Sequence, residues 1–218
     1  MIRLITGASI LILLILGCSE THKALQNNPE DLIYKITAAS CDEDSFRTAI
    51  ATPIRKDILV SVGHTFIGTK DFTVTDFDGN DLQTEIVFLD NDLDLSLIRV
   101  LSEDDINFSR LGNVPEKLET VEIIRIISGK AQKEEIPAIE ASEISFLDAP
   151  AKLVIELATD VEVGESGSPL LYEDGSLAGI IFATSSENKQ TSWAIASEEI
   201  NNAVKSFKGK EEIQLFCE

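Results

Sequence analysis

The stretch PLLYEDGSLAGIIFAT, residues 169–184, has two short apolar runs on either side of Asp174-Gly175. Both runs contain aromatic or β-branched residues, which suit the half-buried surface of a sheet. Asp-Gly is a preferred pair in tight hairpins, because Gly adopts positive φ without a steric cost. The stretch therefore predicts a β-hairpin.

Similar short runs fill the chain on both sides of this hairpin. Turn residues separate them, including a second Asp-Gly pair at Asp78-Gly79. Many short strands at close spacing, with almost no helical period between them, indicate an all-β barrel or sandwich. The other runs are FRTAIATPI (46–54), DILVSVGH (57–64), FTVTDF (72–77), TEIVFL (84–89), LSLIRV (95–100), VEIIRIIS (121–128), AIEASEISFL (138–147), KLVIELAT (152–159) and TSWAIA (191–196).

One segment after the last run has a helical pattern instead. Ser197 is a suitable N-cap residue, and the pattern predicts a C-terminal helix over about 197–208. The apolar residues that recur at helical spacing are Ile200, Ala203, Val204 and Phe207.

The N-terminal segment MIRLITGASILILLILG carries one Arg followed by an almost unbroken apolar run. A charged start, an apolar middle and a small-residue end are typical of a secretory signal. Its end, Ile15-Leu16-Gly17-Cys18, resembles the lipobox of bacterial lipoproteins, in which the Cys is acylated and becomes the new N-terminus. We expect residues 1–17 to be a lipoprotein signal peptide, with an uncleaved N-terminal anchor as the alternative. Lipidation at Cys18 would hold the protein on the periplasmic or extracellular side of a bacterial cell envelope.

The polar residues 18–40 are predicted to be a tether between the lipid and a folded domain of residues 41–218. The other two cysteines, Cys41 and Cys217, stand near the two ends of that domain. An even pair in an exported chain predicts one disulfide, and two free buried thiols are the alternative.

The composition is strongly acidic, with 18 Lys and Arg residues, 38 Asp and Glu residues and a formal net charge of −20. A field of that sign repels phosphate backbones. We therefore expect no nucleic-acid partner, and we attribute membrane contact to the lipid on Cys18.

Candidate catalytic residues stand at the ends of predicted strands and in one loop. His64 ends the run ILVSVGH, Asp94 precedes the run LSLIRV, and Ser166 lies in VGESGSPL. Taken singly, each has a structural explanation as a strand-end His, a turn Asp and a small-residue turn. Together, in the order His, Asp, Ser, they match one known arrangement in which Asp orients His and His deprotonates Ser.

These segments resemble the chymotrypsin-like serine peptidases, in particular the bacterial branch that includes the HtrA proteases and the glutamyl endopeptidases. ILVSVGH is similar to the strand that ends in the catalytic His, DLSLIRV to the Asp-Leu-Ala-Leu-Ile motif, and GESGSPLL to the Gly-x-Ser-Gly-x-Pro loop. The resemblance covers about residues 45–208. It implies two packed antiparallel β-barrels, over about 45–110 and 111–196, with the site between them.

The same resemblance implies a role for each site residue. His64 is the general base, Asp94 orients it, Ser166 attacks a scissile carbonyl, and the N–H groups of Gly164 and Ser166 form the oxyanion hole. The implied partner is a polypeptide substrate, and no cofactor is needed. Glu165 stands where related enzymes carry an Asp that pairs with a newly cut N-terminus. Because the N-terminus here is expected to be lipidated, local contacts must hold this loop.

The substrate pocket is assigned from the resemblance as well. Asp160 stands at the spacing before Ser166 where trypsin-like members select Lys or Arg, and an exposed loop carboxylate is the alternative. Ala183 and Ser192 are expected to line or flank the pocket. Phe182 stands where relatives often keep a smaller residue, and we expect it to fill part of the pocket.

A metal site finds little support in the sequence. Asp90, Asp92 and Asp94 alternate as in a calcium loop, but Leu95 follows where that loop needs Gly. An acidic turn is the expected structure there. The sequence has no metal-spaced Cys or His cluster.

Two alternatives to a serine endopeptidase stay open at this point. One is a catalytically silent protease-like lipoprotein that serves as a binding or scaffolding module. The other is an acidic β-rich lipoprotein without a site, in which His64, Asp94 and Ser166 would lie far apart.

Overall fold

A computed structural model describes residues 28–42, 45–102, 106–146, 149–188, 190–207, 213–215 and 217. The predicted signal peptide and Cys18 lie outside these residues. The described part contains a 3-10 helix at Pro29–Leu32, strands β1 to β13 and helix α1. Their bounds are Tyr34–Ser40 (β1), Phe46–Arg55 (β2), Ile58–Val62 (β3), Thr69–Thr75 (β4), Asp81–Leu82 (β5), Thr84–Asp90 (β6), Leu95–Val100 (β7), Thr120–Ile127 (β8), Lys130–Ile144 (β9), Lys152–Leu157 (β10), Pro169–Leu171 (β11), Leu177–Thr184 (β12), Ser192–Ala196 (β13) and Ser197–Ser206 (α1).

The first half of the domain is a seven-stranded sheet with the order β5-β4-β1-β2-β3-β7-β6. Its neighbouring strands are antiparallel. β3 is buried along its whole length, and β7 nearly so. Continuous burial explains why these two strands are apolar at almost every position instead of alternating.

The tether prediction for residues 18–40 is wrong at its C-terminal end, because Tyr34–Ser40 is strand β1 inside the first sheet. β1 pairs with β2 on one side and with β4 on the other. Tyr34, Ile36 and Ala38 are buried, while the residues between them are more exposed. Such alternation is typical of a strand with one buried face. The small and polar residues of YKITAAS make that alternation weak in the sequence.

The second half of the domain is a closed barrel with the order β10-β13-β12-β11-β8-β9. The predicted hairpin at Asp174-Gly175 joins β11 to β12, and Gly175 has φ +77°. Asp78-Gly79 joins β4 to β5 in the first sheet, and Gly79 has φ +89°. The prediction of an all-β fold of two packed antiparallel barrels with a C-terminal helix is confirmed, with the second half as a closed barrel and the first half as a half-barrel.

One hydrophobic core spans the junction between the two sheets. It contains Leu59 and Val60 of β3 together with Ile180 of β12 and Ile195 of β13, all with 0% exposure. Burial of apolar area on this scale is the main force that holds the sheets together. The strands that lead into the predicted site are therefore fixed relative to each other.

Helix α1 packs on the barrel through Ile200, Ala203 and Val204 and ends at Ser206, slightly before the predicted end. The prediction that Ser197 caps the helix is wrong. Ala196 occupies the N-cap position, and Ser197 Oγ donates to the Gly112 carbonyl at 2.9 Å. The hydroxyl thus bonds the helix to the segment between the two sheets instead of to its own first turn.

The chain after α1 returns to the first sheet. Ile213 N–H donates to the Ile86 carbonyl of strand β6 at 2.8 Å, and a Cys41–Cys217 disulfide joins the end of β1 to this segment. The disulfide prediction is confirmed. Because an edge strand exposes unpaired backbone groups, the segment protects part of the β6 edge. Within the described residues, no helix has the length and apolar character needed to cross a membrane.

We expect the Cys41→Ser/Cys217→Ser double variant to be less stable than the oxidised wild-type chain. The disulfide closes a loop across 176 residues, and loss of a native disulfide typically costs about 2–5 kcal/mol. Denaturant titrations of the full chain measure the free energy of unfolding. Wild type in reductant is the matched comparison and should resemble the double variant. Equal midpoints for the oxidised and disulfide-free chains would contradict the expectation.

Candidate active site

His64 lies two residues after the end of strand β3, and Gly63 stands between them. β3 pairs with β7 in the register Val62 to Leu95, so the end of β3 lies beside the start of β7, where Asp94 stands. A Cβ at Gly63 would come within 3.1 Å of the Leu95 backbone nitrogen. The glycine therefore allows the close approach that brings His64 to Asp94.

His64 and Asp94 form a hydrogen-bonded pair. His64 Nδ1 lies 2.9 Å from Asp94 Oδ2 and 3.1 Å from Oδ1, and the His64 backbone N–H donates to Oδ1 at 2.7 Å. When Nδ1 carries the hydrogen that binds the carboxylate, Nε2 has the lone pair and can accept a proton. The side chain of Asp94 is 17% exposed and that of His64 is 45% exposed. The carboxylate is thus shielded, while the imidazole can be reached from solvent.

The turn before Asp94 is closed by the side chain of Asp90. Asp90 Oδ1 accepts the N–H groups of Asp92 at 3.0 Å and of Leu93 at 2.9 Å. Asp94 itself has φ +56°, a conformation that costs a non-glycine residue on the order of 1–3 kcal/mol. In the part of the chain that the structure describes, no three His, Cys, Asp or Glu residues are grouped to hold a metal ion.

The loop that carries Ser166 extends from the second barrel and bonds to strand β2 of the first sheet. Ile50 N–H donates to the Ser166 carbonyl at 2.7 Å. Ser61 Oγ, on the strand that leads to His64, donates to the Ile50 carbonyl at 2.6 Å. Ser166 therefore lies at the junction of the sheets, near the strand ends that hold His64 and Asp94. Ser166 Oγ and His64, both among the described residues, share no hydrogen bond.

Gly167 determines how closely this loop approaches β2. It has φ +88°, and a Cβ there would overlap the Ile50 carbonyl oxygen. Its N–H donates to the Ile181 carbonyl of the second barrel at 2.7 Å, and its carbonyl accepts Thr52 Oγ1 of the first sheet at 3.0 Å. One residue without a side chain is thus bonded to both halves of the domain.

The segment before Ser166 forms a tight turn over residues 162–165, where the sequence predicts the oxyanion hole; we call this segment the oxyanion turn. Glu165 N–H donates to the Glu162 carbonyl at 3.1 Å, and Gly164, third in this turn, has φ +98°. A positive φ at the third residue is typical of a type II turn and favours Gly. The N–H groups of Gly164 and Ser166 have no acceptor among the described residues. Both donors can therefore bind the oxygen of a reacting carbonyl.

The trypsin-like peptidase domain family matches residues 34–180. The chain belongs to this family. Its class is therefore that of serine endopeptidases, hydrolases that act on polypeptides, and its fold is the chymotrypsin-like fold expected from the sequence.

Solved structures show the same fold. The Rv3671c protease from M. tuberculosis in its active form has a TM-score of 0.75 and 19% identity, over 89% of this chain and 91% of that one. The inactive form of the same protease has a TM-score of 0.66 and 21% identity, over 85% and 96%. The HtrA-type protease AlgW with tripeptide has a TM-score of 0.69 and 16% identity, over 81% of this chain and 60% of that one. No curated protein sequence matches the chain.

Arg125, on strand β8 of the peptidase, provides the local contacts expected to hold the loop. Its Nη1 lies 2.7 Å from Glu165 Oε2, and its Nε lies 2.7 Å from Glu134 Oε2. Its Nη2 donates to Thr159 Oγ1 at 2.7 Å and to the Asp160 carbonyl at 2.6 Å. The Arg125 side chain is 11% exposed. A guanidinium that is this well shielded from solvent and has four partners fixes their relative positions more firmly than a surface ion pair does.

Glu165 completes the connection from Arg125 to the oxyanion turn. Its Oε2 also accepts the Glu162 N–H at 2.8 Å, so one carboxylate oxygen joins Arg125 to the residue that begins the turn. Sequence reasoning did not identify Arg125. The available signal is a single basic residue inside the apolar run VEIIRIIS.

The four residues assigned to the substrate pocket have different surroundings. Asp160 has an exposed side chain, and Ala183 is partly buried. Ser192 has 0% exposure, and its Oγ donates to the Thr159 carbonyl at 3.1 Å. Ser192 therefore supports the segment before Asp160 from the protein interior. Phe182 is buried and is described with its neighbours below.

Phe182 belongs to an aromatic cluster next to the site. Its ring packs edge-to-face on Phe146, with ring centroids 5.1 Å apart, and Phe146 contacts Trp193 at 5.5 Å. The ring also carries the Lys152 ammonium over its face, 4.5 Å from the centroid. Sequence reasoning noted the size of Phe182 but missed this lysine.

We expect Arg125→Lys to slow fluorophosphonate labelling of the peptidase by roughly 10-fold or more, because even one missing oxyanion donor costs on the order of 100- to 1000-fold. Lys keeps the charge but cannot donate to the four groups that Arg125 binds. The second-order labelling rate is the measurement. Arg99→Lys, in which the native Arg pairs with Glu85 at 2.6 Å, is the matched control and should label normally. Labelling of Arg125→Lys at the wild-type rate, in a chain with unchanged thermal stability, would show that the oxyanion turn does not depend on the hydrogen bonds of the Arg125 guanidinium.

Proposed function

We propose that this peptidase hydrolyses peptide bonds with His64, Asp94 and Ser166 as a catalytic triad. The observation that carries the proposal is the His64 Nδ1 to Asp94 hydrogen bond at 2.9 Å. It orients an accessible imidazole at the junction where the Ser166 loop bonds to β2. Catalytic hydrogen bonds between base and nucleophile are often long without substrate and shorten in the complex. The unformed bond from Ser166 to His64 is compatible with this role.

The proposed reaction has two halves. Ser166 Oγ attacks the carbonyl carbon of the scissile bond as His64 Nε2 takes its proton, and Asp94 stabilises the imidazolium. The negative oxygen is bound by the N–H groups of Gly164 and Ser166. The carbon–nitrogen bond breaks as His64 gives its proton to the leaving amine, which leaves an ester on Ser166. Water then attacks this ester as His64 Nε2 takes its proton. The bond between the acyl carbon and Ser166 Oγ breaks, His64 returns the proton to Oγ, and the acid product leaves.

Substrate selection in this proposal follows from charge and access. A chain with a net charge of −20 repels acidic polypeptides over distances comparable with the Debye length. We infer that exposed or unfolded segments of low negative charge are the preferred substrates. Asp160 is exposed, and it remains the candidate residue for attracting a basic side chain.

One observation favours a second candidate function, a protease-like binding module without turnover. Phe182 is buried against Phe146 and beneath Lys152, so its ring occupies space next to the site. In that case the catalytic groups would be present but a substrate side chain could not enter. Reaction with a small active-site reagent separates the two functions, because labelling needs an activated hydroxyl and an open oxyanion hole.

We expect a fluorophosphonate to label the wild-type chain and to leave Ser166→Ala unlabelled. His64→Ala should be slowed by several orders of magnitude, because the base is lost. Ser186→Ala, which removes an exposed hydroxyl, is the control and should label normally. Mass spectrometry of the intact protein and of its peptides is the readout. A folded wild-type chain that does not react would favour the binding module, and adducts on Ser166→Ala would identify a different nucleophile.

We also propose that Cys18 is acylated and holds the peptidase at the bacterial cell envelope. The lipobox-like sequence that ends at Cys18 supports this location, as does the disulfide, because such bonds persist in oxidising compartments.

We expect the wild-type chain to partition into detergent from a membrane fraction, and Cys18→Ala to lose its lipid mass and this partition. The Cys41→Ser/Cys217→Ser variant is the matched control, because it removes two sulfurs that are not predicted to carry lipid. Retention of the same added mass in Cys18→Ala would exclude this residue as the acylation site.

A further inference from the structure

We propose that Lys152 is a positioning residue for the His64–Asp94 pair: its buried ammonium holds the peptide group before Asp94 and keeps a positive charge beside the pair. This inference deepens the proposed function and rests on it, because it concerns the readiness of His64 to act as a base. The geometry that supports it involves the second barrel, the acidic turn and the aromatic cluster.

Lys152 reaches from the second barrel to the first sheet. It is the first residue of β10 and is 3% exposed. Its Nζ donates to the Leu93 carbonyl at 2.9 Å and lies 3.5 Å from the Asp92 carbonyl oxygen. The ammonium also lies over the ring of Phe182, 4.5 Å from the centroid. The side chain thus joins the two halves of the domain next to the catalytic Asp.

The hydrogen bond to Leu93 acts on the peptide group that precedes Asp94. Rotation between this peptide group and the Asp94 Cα is the angle φ, which has the unfavourable value +56°. The hydrogen bond from Lys152 Nζ to the Leu93 carbonyl holds this peptide group in place and so opposes a change of that angle. On the other side of the turn, the Leu93 N–H is held by Asp90 Oδ1 at 2.9 Å. Both polar groups of Leu93 are therefore bound, which positions the carboxylate that follows.

Lys152 also acts through its charge. The acidic groups that face it are Asp94, Asp90 and Asp92 from the turn and Glu199 from α1. Burial lowers the pKa of Lys152, and these four carboxylates oppose the shift, Asp94 most strongly. None of the carboxylates among the described residues forms an ion pair with Nζ. The positive charge of Lys152 therefore acts on the Asp94 carboxylate electrostatically through space and not through a direct ion pair.

The charge on Lys152 is expected to affect how readily His64 takes up a proton, and the direction of this effect can be predicted. A nearby positive charge disfavours the imidazolium, so removal of the Lys152 charge is expected to favour it. Among the described residues, Arg47 also lies next to His64, and its Nη1 donates to the His64 carbonyl at 2.8 Å. Loss of Lys152 should therefore raise the pH at which the imidazole takes up its proton, and activity at low pH should fall.

Stability alone does not account for a lysine at this position. A buried ammonium must give up its hydration, and this penalty is repaid only by very good partners. Lys152 has carbonyl oxygens and ring faces but no paired carboxylate. A methionine has a similar length and would fill the same apolar surroundings. We therefore expect Lys152→Met to fold, with a thermal midpoint close to that of the wild type.

The first test measures the imidazole itself and needs no catalysis. The chain has two histidines, so the His22→Gln background leaves His64 as the single imidazole. In this full chain, NMR titration of the ring protons is expected to give a midpoint higher by about 0.5–1 pH unit in Lys152→Met than in the parent. Lys152 Nζ binds the carbonyl of Leu93, next to Asp94, and a unit charge this close to the pair has an effect of this size at an effective dielectric near 20 or above. Lys152→Arg, which keeps the charge, should stay near the parent value.

Lys133→Met is the matched control, because Lys133 sits on β9 of the same barrel and pairs with Glu122 at 2.6 Å. It should leave the His64 midpoint unchanged. An unchanged midpoint in folded Lys152→Met would overturn the inference, as would an equal rise in Lys133→Met. Circular dichroism and thermal unfolding of each variant establish that the compared chains are folded.

The second test follows the labelling rate against pH. The acid limb of the fluorophosphonate profile should move to higher pH in Lys152→Met by the same amount as the titration midpoint. A purely structural lysine would lower the rate at all pH values without moving the limb, which would contradict the inference. If the wild-type chain does not label but the His64 midpoint still moves, the proposed function fails while the role of Lys152 on the pair stands.

Discussion

The backbone hydrogen bond from Ile50 to Ser166 joins two sheets that carry separate parts of one site. His64 and Asp94 lie at strand ends of the first sheet, whereas Ser166 and the oxyanion turn lie just before β11 of the second barrel. Neither sheet alone contains the full set of groups. The bond at 2.7 Å is possible because Gly167 has no side chain and lets the loop approach β2. The reactivity proposed for Ser166 thus depends on packing between the halves as much as on the residues themselves.

Much of the fold and of the candidate site could be predicted from local sequence patterns. The strands of the site are continuous apolar runs, and the residues next to them, His64 and Asp94, stand where a buried strand meets solvent. The Asp-Gly turns specify positive φ at Gly. Ser166 lies between two glycines whose conformations are both left-handed. In each case the burial or the backbone conformation depends on residues that are only a few positions apart in the chain.

The features that sequence reasoning missed depend on partners far away in the chain. β1 alternates too weakly to be distinguished from a polar linker until β2 and β4 cover it. Arg125 bonds to residues more than thirty positions later, and Lys152 to a carbonyl 59 positions earlier. A single cation beside apolar residues is visible in the sequence at both places, but only the fold identifies its partners.

Arg125 and Lys152 differ in how they depend on pH. Arg125 stays charged at any pH that a protein tolerates, and its guanidinium binds the carboxylates of Glu165 and Glu134 directly. Arg125 therefore supports the oxyanion turn through its direct hydrogen bonds. Lys152 binds carbonyl oxygens and ring faces, and burial lowers its pKa, so its charge is less secure as the solution becomes alkaline. The oxyanion half of the site is consequently expected to keep its shape as the solution becomes alkaline, whereas the His64–Asp94 half depends on a charge that can be lost. In a chain with a net charge of −20, these two cations lie beside the candidate site. Arg125 holds the carboxylate of Glu165 and Lys152 holds the carbonyl of Leu93.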